Sequence, residues 1–223
     1  MNQDIIDKLL ERTRSGDRSG AVASIKAWKD EHGTESLLEE VLEPFLMKIG
    51  GEWQQGNLSL AQCYVATKIA EDVINSQILS ARVASMQNEK QKGPAVIGNA
   101  EGDFHWLGRK MVGLFLQADN WEVRDLGNDV PAEVFVDTAC EVGARVIGVS
   151  AMMYPTARNI VKIRRLLDER GLSGKIMLAV GGAVFRLHPE LTQEVGADGT
   201  CGSAMMAPEL FKRLWNEAAD KGG

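Results

Sequence analysis

Residues 94–126 read PAVIGNAEGDFHWLGRKMVGLFLQADNWEVRDL. A short apolar run over 95–98 gives way to a polar loop at Glu101. A helical pattern follows over 107–118, and a second candidate strand occupies 121–126. Short apolar runs bounded by Gly and Pro fit buried strands, and alternation of such runs with helical patterns marks parallel crossover units. The alternation continues downstream. Further strands are expected at 145–149 and 175–180, with a weaker fifth near 197–200. Helices are expected near 131–142, 156–170, 188–194 and 207–219. Pro131 suits a first helical turn, where a missing N–H costs nothing. Residues 94–223 are therefore expected to form an α/β domain, an open, doubly wound, five-stranded parallel sheet with helices on both faces.

Upstream the texture differs. Pro44 is the sole proline of residues 1–86. Ile5, Ile6, Leu9 and Leu10 recur at helical spacing, as do Val22, Ile25 and Trp28. Thr34 with Leu37 is half a capping box. It precedes the stripe Leu38, Val41, Leu42, Phe45, Leu46, Ile49 and Trp53. Gly56-Asn57 breaks that pattern. Residues 58–86 then carry Val65, Ile69, Val73, Ile74 and Ile78 on one face. Four helices with short connections imply an antiparallel bundle over 1–86. The polar stretch 87–93, QNEKQKG, reads as a linker.

Composition narrows the function classes. The 223 residues are 44% hydrophobic, enough for one large or two small domains. The net charge of −6 argues against direct, nonspecific nucleic-acid binding. No stretch approaches the roughly 20 apolar residues that span a membrane. The polar start, MNQDIIDKLLERTRSGDR, does not resemble a secretory signal. Cys63, Cys140 and Cys201 are odd in number and far apart, so neither a disulfide framework nor a CxxC metal site is indicated. They are expected to be buried small residues. A cytoplasmic protein with reduced thiols is expected. His32 and His188 read as helix-terminal or surface residues.

In an open parallel sheet, ligands bind at the carboxyl ends of the strands near the switch in strand order. The loop after the first strand holds Asp103, His105 and Gly108. A lone histidine there is more often structural. Asp103, two residues earlier, could accept one imidazole N–H and leave the other nitrogen free for a metal. One histidine cannot hold zinc tetrahedrally, and no Cys or second His lies nearby in sequence. A metal using this loop must arrive already chelated, inside a macrocycle. Ser150, after the third strand, lacks the G-x-S-x-G context of a hydrolase elbow. Gly181-Gly182, after the fourth, either makes a tight turn or clears space for a ligand against the backbone. The amides of 126–131 could receive a phosphate or an amide group. No G-x-G-x-x-G follows the first strand, so a nicotinamide dinucleotide lacks its fingerprint.

Together these loops resemble the cobalamin-binding domain of corrinoid proteins and methionine synthase. That family carries D-x-H-x-x-G, S-x-L and G-G after successive strands of a Rossmann-like, flavodoxin-like sheet. This chain has Asp103-x-His105-x-x-Gly108, Ser150-x-Met152 and Gly181-Gly182. The resemblance implies cobalamin bound "base-off, His-on", with His105 as the lower cobalt ligand and Asp103 as its hydrogen-bond partner. It further implies that Ser150, Met152, Gly181 and Gly182 line a slot for the cofactor's benzimidazole tail. Gly127, Val130 and Thr200-Cys201-Gly202 are implied contacts to that tail. Residues 1–86 would be a helical cap, with Trp53 above the corrin or else in the bundle core.

Two departures matter. Methyl-carrying members usually continue H-D-I-G-K-N, where this chain has His105-Trp106-Leu107-Gly108-Arg109-Lys110. The motif Gly51-x-Trp53-x-x-Gly56-x-Leu58-Ser59-x-Ala61 also resembles the cap of cobalamin-dependent light-sensing repressors. Those sensors carry a Glu-His pair where this chain has Cys63 and Tyr64. The first 15 residues lead directly into the cap, so no DNA-binding module is expected. The implied function is a methyl-carrying subunit that shuttles a methyl group between partner methyltransferases through Co(I) and methyl-Co(III). The alternative is a cobalamin-responsive regulator acting through a protein partner. A radical mutase subunit fits less well, lacking a substrate barrel. A homo-oligomer is compatible with either function.

Overall fold

The computed structural model describes residues 2–33, 36–85 and 92–221. It divides into two compact units, 1–80 and 81–223. The first holds α1 (Asn2–Ser15), α2 (Arg18–His32), a π-helical segment (Leu37–Leu42) running into α3 (Glu43–Gln54), and α4 (Leu60–Ser85), whose end falls in the second unit. Asp17 caps α2 by accepting the Gly20 N–H at 2.9 Å. Leu9, Ile25, Leu37, Leu42, Phe45, Ile69 and Ile74 are fully buried. They occupy the helical phases that the periodicity predicts, though Ile5, Val22, Leu46 and Val65 are only half-buried, and the side chains of Leu38 and Ile78 lie outside those described. Arg18 forks onto Asp72 at 2.6 and 2.5 Å, tying α2 to α4. The π segment is not announced by periodicity. Pro44, at the start of α3, offers no N–H to an i−4 carbonyl, which suits a widened ladder before it.

Thr34, Met86 and 87–91 lie outside the described residues. Lys92 and Gly93, expected to close the linker, instead open β1.

The second unit alternates strand and helix. Its elements are β1 (Lys92–Asn99), α5 (Trp106–Ala118), β2 (Trp121–Asp125), α6 (Ala132–Val142), β3 (Val146–Ser150), α7 (Tyr154–Asn159), α8 (Val161–Glu169), β4 (Met177–Gly181), α9 (Ala183–Leu187), α10 (Leu191–Glu194), β5 (Gly199–Thr200) and α11 (Ala207–Lys221). The strands pair in parallel in the order β2-β1-β3-β4-β5. The order reverses between β1 and β3, which places the switch point between their loops.

The three central strands, β1, β3 and β4, supply both cores by alternation. Val96, Ile147, Leu178 and Val180 join Phe135, Val136 and Ala139 of α6 on one face. Ala95, Ile97, Val146, Met177 and Ala179 join Leu116 of α5 and Leu210, Phe211 and Leu214 of α11 on the other.

One expected helix is divided and another shortened. The stretch 156–170 breaks at Ile160 into α7 and α8. The stretch 188–194 shortens to α10, because Pro189 cannot continue the preceding α9. β5 is only two residues long. Asp198, just before it, accepts the Leu178 N–H at 2.6 Å and Arg164 Nη2 at 2.5 Å. Cys140 is exposed, and Cys63 and Cys201 are half-buried, which corrects the expectation of three buried thiols. Cys140 lies near the end of α6 on its solvent side. No helix among the described residues is long and apolar enough to cross a membrane.

Candidate functional site

The site is built where β1 ends. The Gly102 N–H donates to Asp129 Oδ1 at 2.7 Å, and the Asp129 N–H returns to the Asp103 carbonyl at 3.0 Å. These bonds knit the β1 and β2 loops together. The Asp103 side chain is fully buried, and five donors converge on it. Its Oδ1 accepts Asn99 Nδ2 at 3.2 Å, the His105 N–H at 2.9 Å and His105 Nδ1 at 3.1 Å. Its Oδ2 accepts the Met152 N–H at 2.7 Å and the Thr156 hydroxyl at 2.8 Å. One carboxylate thus pins the β3 loop to the β1 loop, 49 and 53 residues apart in sequence.

Burial pulls the Asp103 carboxyl's pKa upward, but the donors from Met152, His105 and Thr156 outweigh it and hold the group below its ordinary value. Asp103 is therefore an anion that can only accept. Facing a group that only accepts, His105 Nδ1 is placed to donate its proton, which leaves Nε2 as the ring nitrogen not engaged by Asp103. The His105 side chain is 49% exposed, so the ring is not sealed into the core. The Asp103 bond to the His105 backbone N–H also fixes the residue as the N-cap of α5.

Glycines shape the surroundings. A Cβ on Gly108 would lie 3.8 Å from Ser150 Oγ, so the first turn of α5 faces the end of β3. A Cβ on Gly181 would meet nothing within 4 Å. Gly182 has φ +113°, and its Cβ would fall 2.0 Å from the Ala151 carbonyl oxygen. Phe104, Met152, Met153, Tyr154, Leu187 and Met206 are exposed, all on segments that follow a strand's carboxyl end.

A family described as a B12 binding domain matches residues 93–210, and a second of the same description matches residues 5–76. The chain belongs to the B12-binding family. Its cofactor is accordingly a cobalamin-type corrinoid. A dimethylamine corrinoid protein of Methanosarcina mazei is 30% identical over 212 residues, covering 95% of this chain and 96% of the relative. Among solved structures, a Methanosarcina barkeri monomethylamine corrinoid protein superposes with a TM-score of 0.81 at 22% identity, covering 96% of this chain and 100% of the other. A methanol:cobalamin methyltransferase complex of the same organism gives a TM-score of 0.52 at 23% identity, covering 96% and 80%. These last two likenesses concern the fold.

The residues present fit the corrinoid. No group of three His, Cys, Asp or Glu side chains among the described residues could hold a bare metal ion. A single imidazole Nε2 can serve only a metal whose remaining positions are already filled, as in a corrin. Exposed Phe104 beside it in the chain, and exposed Met152 and Met153 on the β3 loop that Asp103 holds, suit the face of a macrocycle.

The structure brings Asp103, His105, Gly108, Ser150, Met152, Gly181 and Gly182 of this B12-binding chain to the β1, β3 and β4 ends. The β2 loop is less open than the sequence suggests. The N–H groups of Leu126, Gly127, Asp129 and Val130 are taken by Ile97, Asp125, Asp103 and Asn99 respectively. They are not available to a phosphate or amide, which corrects that expectation. Val130 is buried and bridges to Ala100. Thr200 is exposed at the end of β5. Trp53, in the first unit, is 55% exposed and so is no core residue of the helices.

Three polar residues escaped the sequence reading. Thr156 and Asn99 are buried on Asp103. Arg109 is 4% exposed and bonds Asn99. Burial pushes the Arg109 guanidinium's pKa down, opposed by Asp125. A visible signal existed for it: Arg109 stands at helical spacing from Gly113 and Leu116, on the sheet-facing side of α5.

Proposed function

We propose that this protein is a methyl carrier: it holds cobalamin through His105 Nε2 and passes a methyl group between partner methyltransferases. One observation carries the ligand assignment: His105 Nδ1 lies 3.1 Å from the Asp103 carboxylate on a half-exposed ring, which leaves Nε2 as the nitrogen for a metal. The relative from Methanosarcina mazei, named a dimethylamine corrinoid protein, supports the carrier role. Bound, the corrinoid supplies a cobalt able to accept a methyl group and give it up.

The chain's own residues do the rest. Asp103 fixes the tautomer and aims the ring. Ser150, Met152 and the open space at Gly181 are assigned to the slot for the cofactor's tail, with Thr200 at its outer end.

The protein loaded with reduced cobalamin should gain a methyl group when mixed with a methyl donor, such as a methylamine or methanol, and its methyltransferase. A second methyltransferase should then remove it. His105→Ala should fold normally, since the half-exposed ring supports no core, yet show a shifted cobalt absorption spectrum and slower transfer. Failure to accept methyl from any methyltransferase tested, with partner binding that follows the cobalt's upper ligand, would favour a regulator instead.

A further inference from the structure

Behind Asp103 lies a second layer of buried polar groups. Arg109 is held at three points: Nη1 donates to Asn99 Oδ1 at 2.8 Å and to Asn128 Oδ1 at 2.5 Å, and Nε lies 2.8 Å from Asp125 Oδ1 as an ion pair. Asp125 is shared with Lys110 Nζ at 2.8 Å. A guanidinium has donors only. The Asn99 side chain must therefore turn its oxygen to Arg109 and its NH2 to Asp103. The amide orientation follows from chemistry, and the alternative flip would set oxygen against the Asp103 carboxylate. Asn99 Nδ2 donates to Oδ1, the same oxygen that receives the Nδ1–H of His105.

We propose that Arg109 is a positioning residue that acts through Asn99: it locks the amide as a donor to Asp103 and so fixes the tautomer and aim of His105. Three features favour this over simple packing. Arg109, Asn99 and Asp103 are all buried, so each contact is made in low dielectric with little competition from water. The guanidinium is planar and held at several points, so it has one orientation rather than many. The chain Arg109–Asn99–Asp103–His105 leads from the first turn of α5 back to its N-cap, so a shift of α5 would move both ends together. Any consequence for cobalt rests on His105 being the ligand. The hydrogen-bond relay itself does not.

The test is made first on the metal-free protein. Nitrogen-15 NMR of the three histidines reads the tautomer of His105. The wild type should show the Nδ1–H form. Arg109→Met and Asn99→Ala should each lower the share of that form and allow Nε2–H to appear. The double variant should be no worse than either single one, because both cut the same chain. Arg109→Lys should recover part of the wild-type signal. Cobalamin affinity should fall about 10-fold in each single variant, the lower end for a residue behind a metal ligand.

Where Arg109→Met does not fold, Asn99→Ala leaves Arg109 on Asp125 and Asn128 and cuts the same link. An unchanged His105 tautomer in folded Asn99→Ala, or losses that add in the double variant, would overturn the relay. Failure of the ligand assignment would look different: the tautomer would respond as stated while cobalamin affinity stayed at the wild-type level in every variant.

Discussion

Replacing Asp103 by Ala is expected to destabilise the second unit by about 3 kcal/mol or more and to loosen cobalamin binding at the same time. Five donors converge on the carboxylate, and each one left buried without a partner costs roughly 1–3 kcal/mol before water enters to relieve it. Asp103→Asn keeps the volume but sets an NH2 against either the Met152 N–H or the donors on Oδ1. It should lose about 1–3 kcal/mol. Denaturant unfolding, followed by tryptophan fluorescence, would measure both.

The pH dependence has a definite sign. The folded-state pKa of Asp103 is depressed, so its contribution is complete above the unfolded-state value and disappears as pH falls through the lower folded-state value. The stability gap between wild type and Asp103→Asn should therefore be constant at neutral pH and close in acid. A gap that widened in acid would contradict the ionised carboxylate.

Gly182→Ala is expected to be comparably damaging. The residue has φ +113°, and an added Cβ would lie 2.0 Å from the carbonyl oxygen and 2.9 Å from the carbonyl carbon of Ala151. Ala151 cannot easily yield, since its N–H donates to the Gly181 carbonyl at 3.0 Å. The positive φ costs an L-residue about 1–2 kcal/mol and the overlap about 1–3 kcal/mol more. Gly181→Ala is the informative control. It has open space, so stability should be kept while cobalamin affinity falls, as a methyl group enters the space assigned to the tail. Equal stability for the two variants would mean that the β3 and β4 loops do not abut as described.

Much of the fold was readable because its three central strands are short apolar runs buried on both faces, and its helices are amphipathic. What periodicity could not carry were interruptions within helical patterns. Ile160 sits in an unbroken apolar phase, yet the helix divides there into α7 and α8. The π segment at Leu37–Leu42 likewise keeps its apolar stripe. Asp103 and His105 were legible because both partners lie on one short loop. Thr156 was not, because it reaches Asp103 from 53 residues away. Arg109 and Asn99 were hidden differently. Each is polar on an element that otherwise buries apolar groups, and only the fold shows that they satisfy one another. The β2 loop was over-read, since free amides in a sequence become donors to neighbouring strands once the sheet forms.

The central claim is that His105 Nε2 is the lower ligand of cobalt, and electron paramagnetic resonance of the cobalt(II)-loaded protein tests it most directly. Protein grown with nitrogen-15 histidine and unlabelled cobalamin should show splitting of the cobalt lines that changes from a triplet to a doublet with the label. That splitting should disappear in His105→Ala. A splitting indifferent to the histidine label would mean that the cofactor's own benzimidazole still holds the cobalt, and would contradict the assignment.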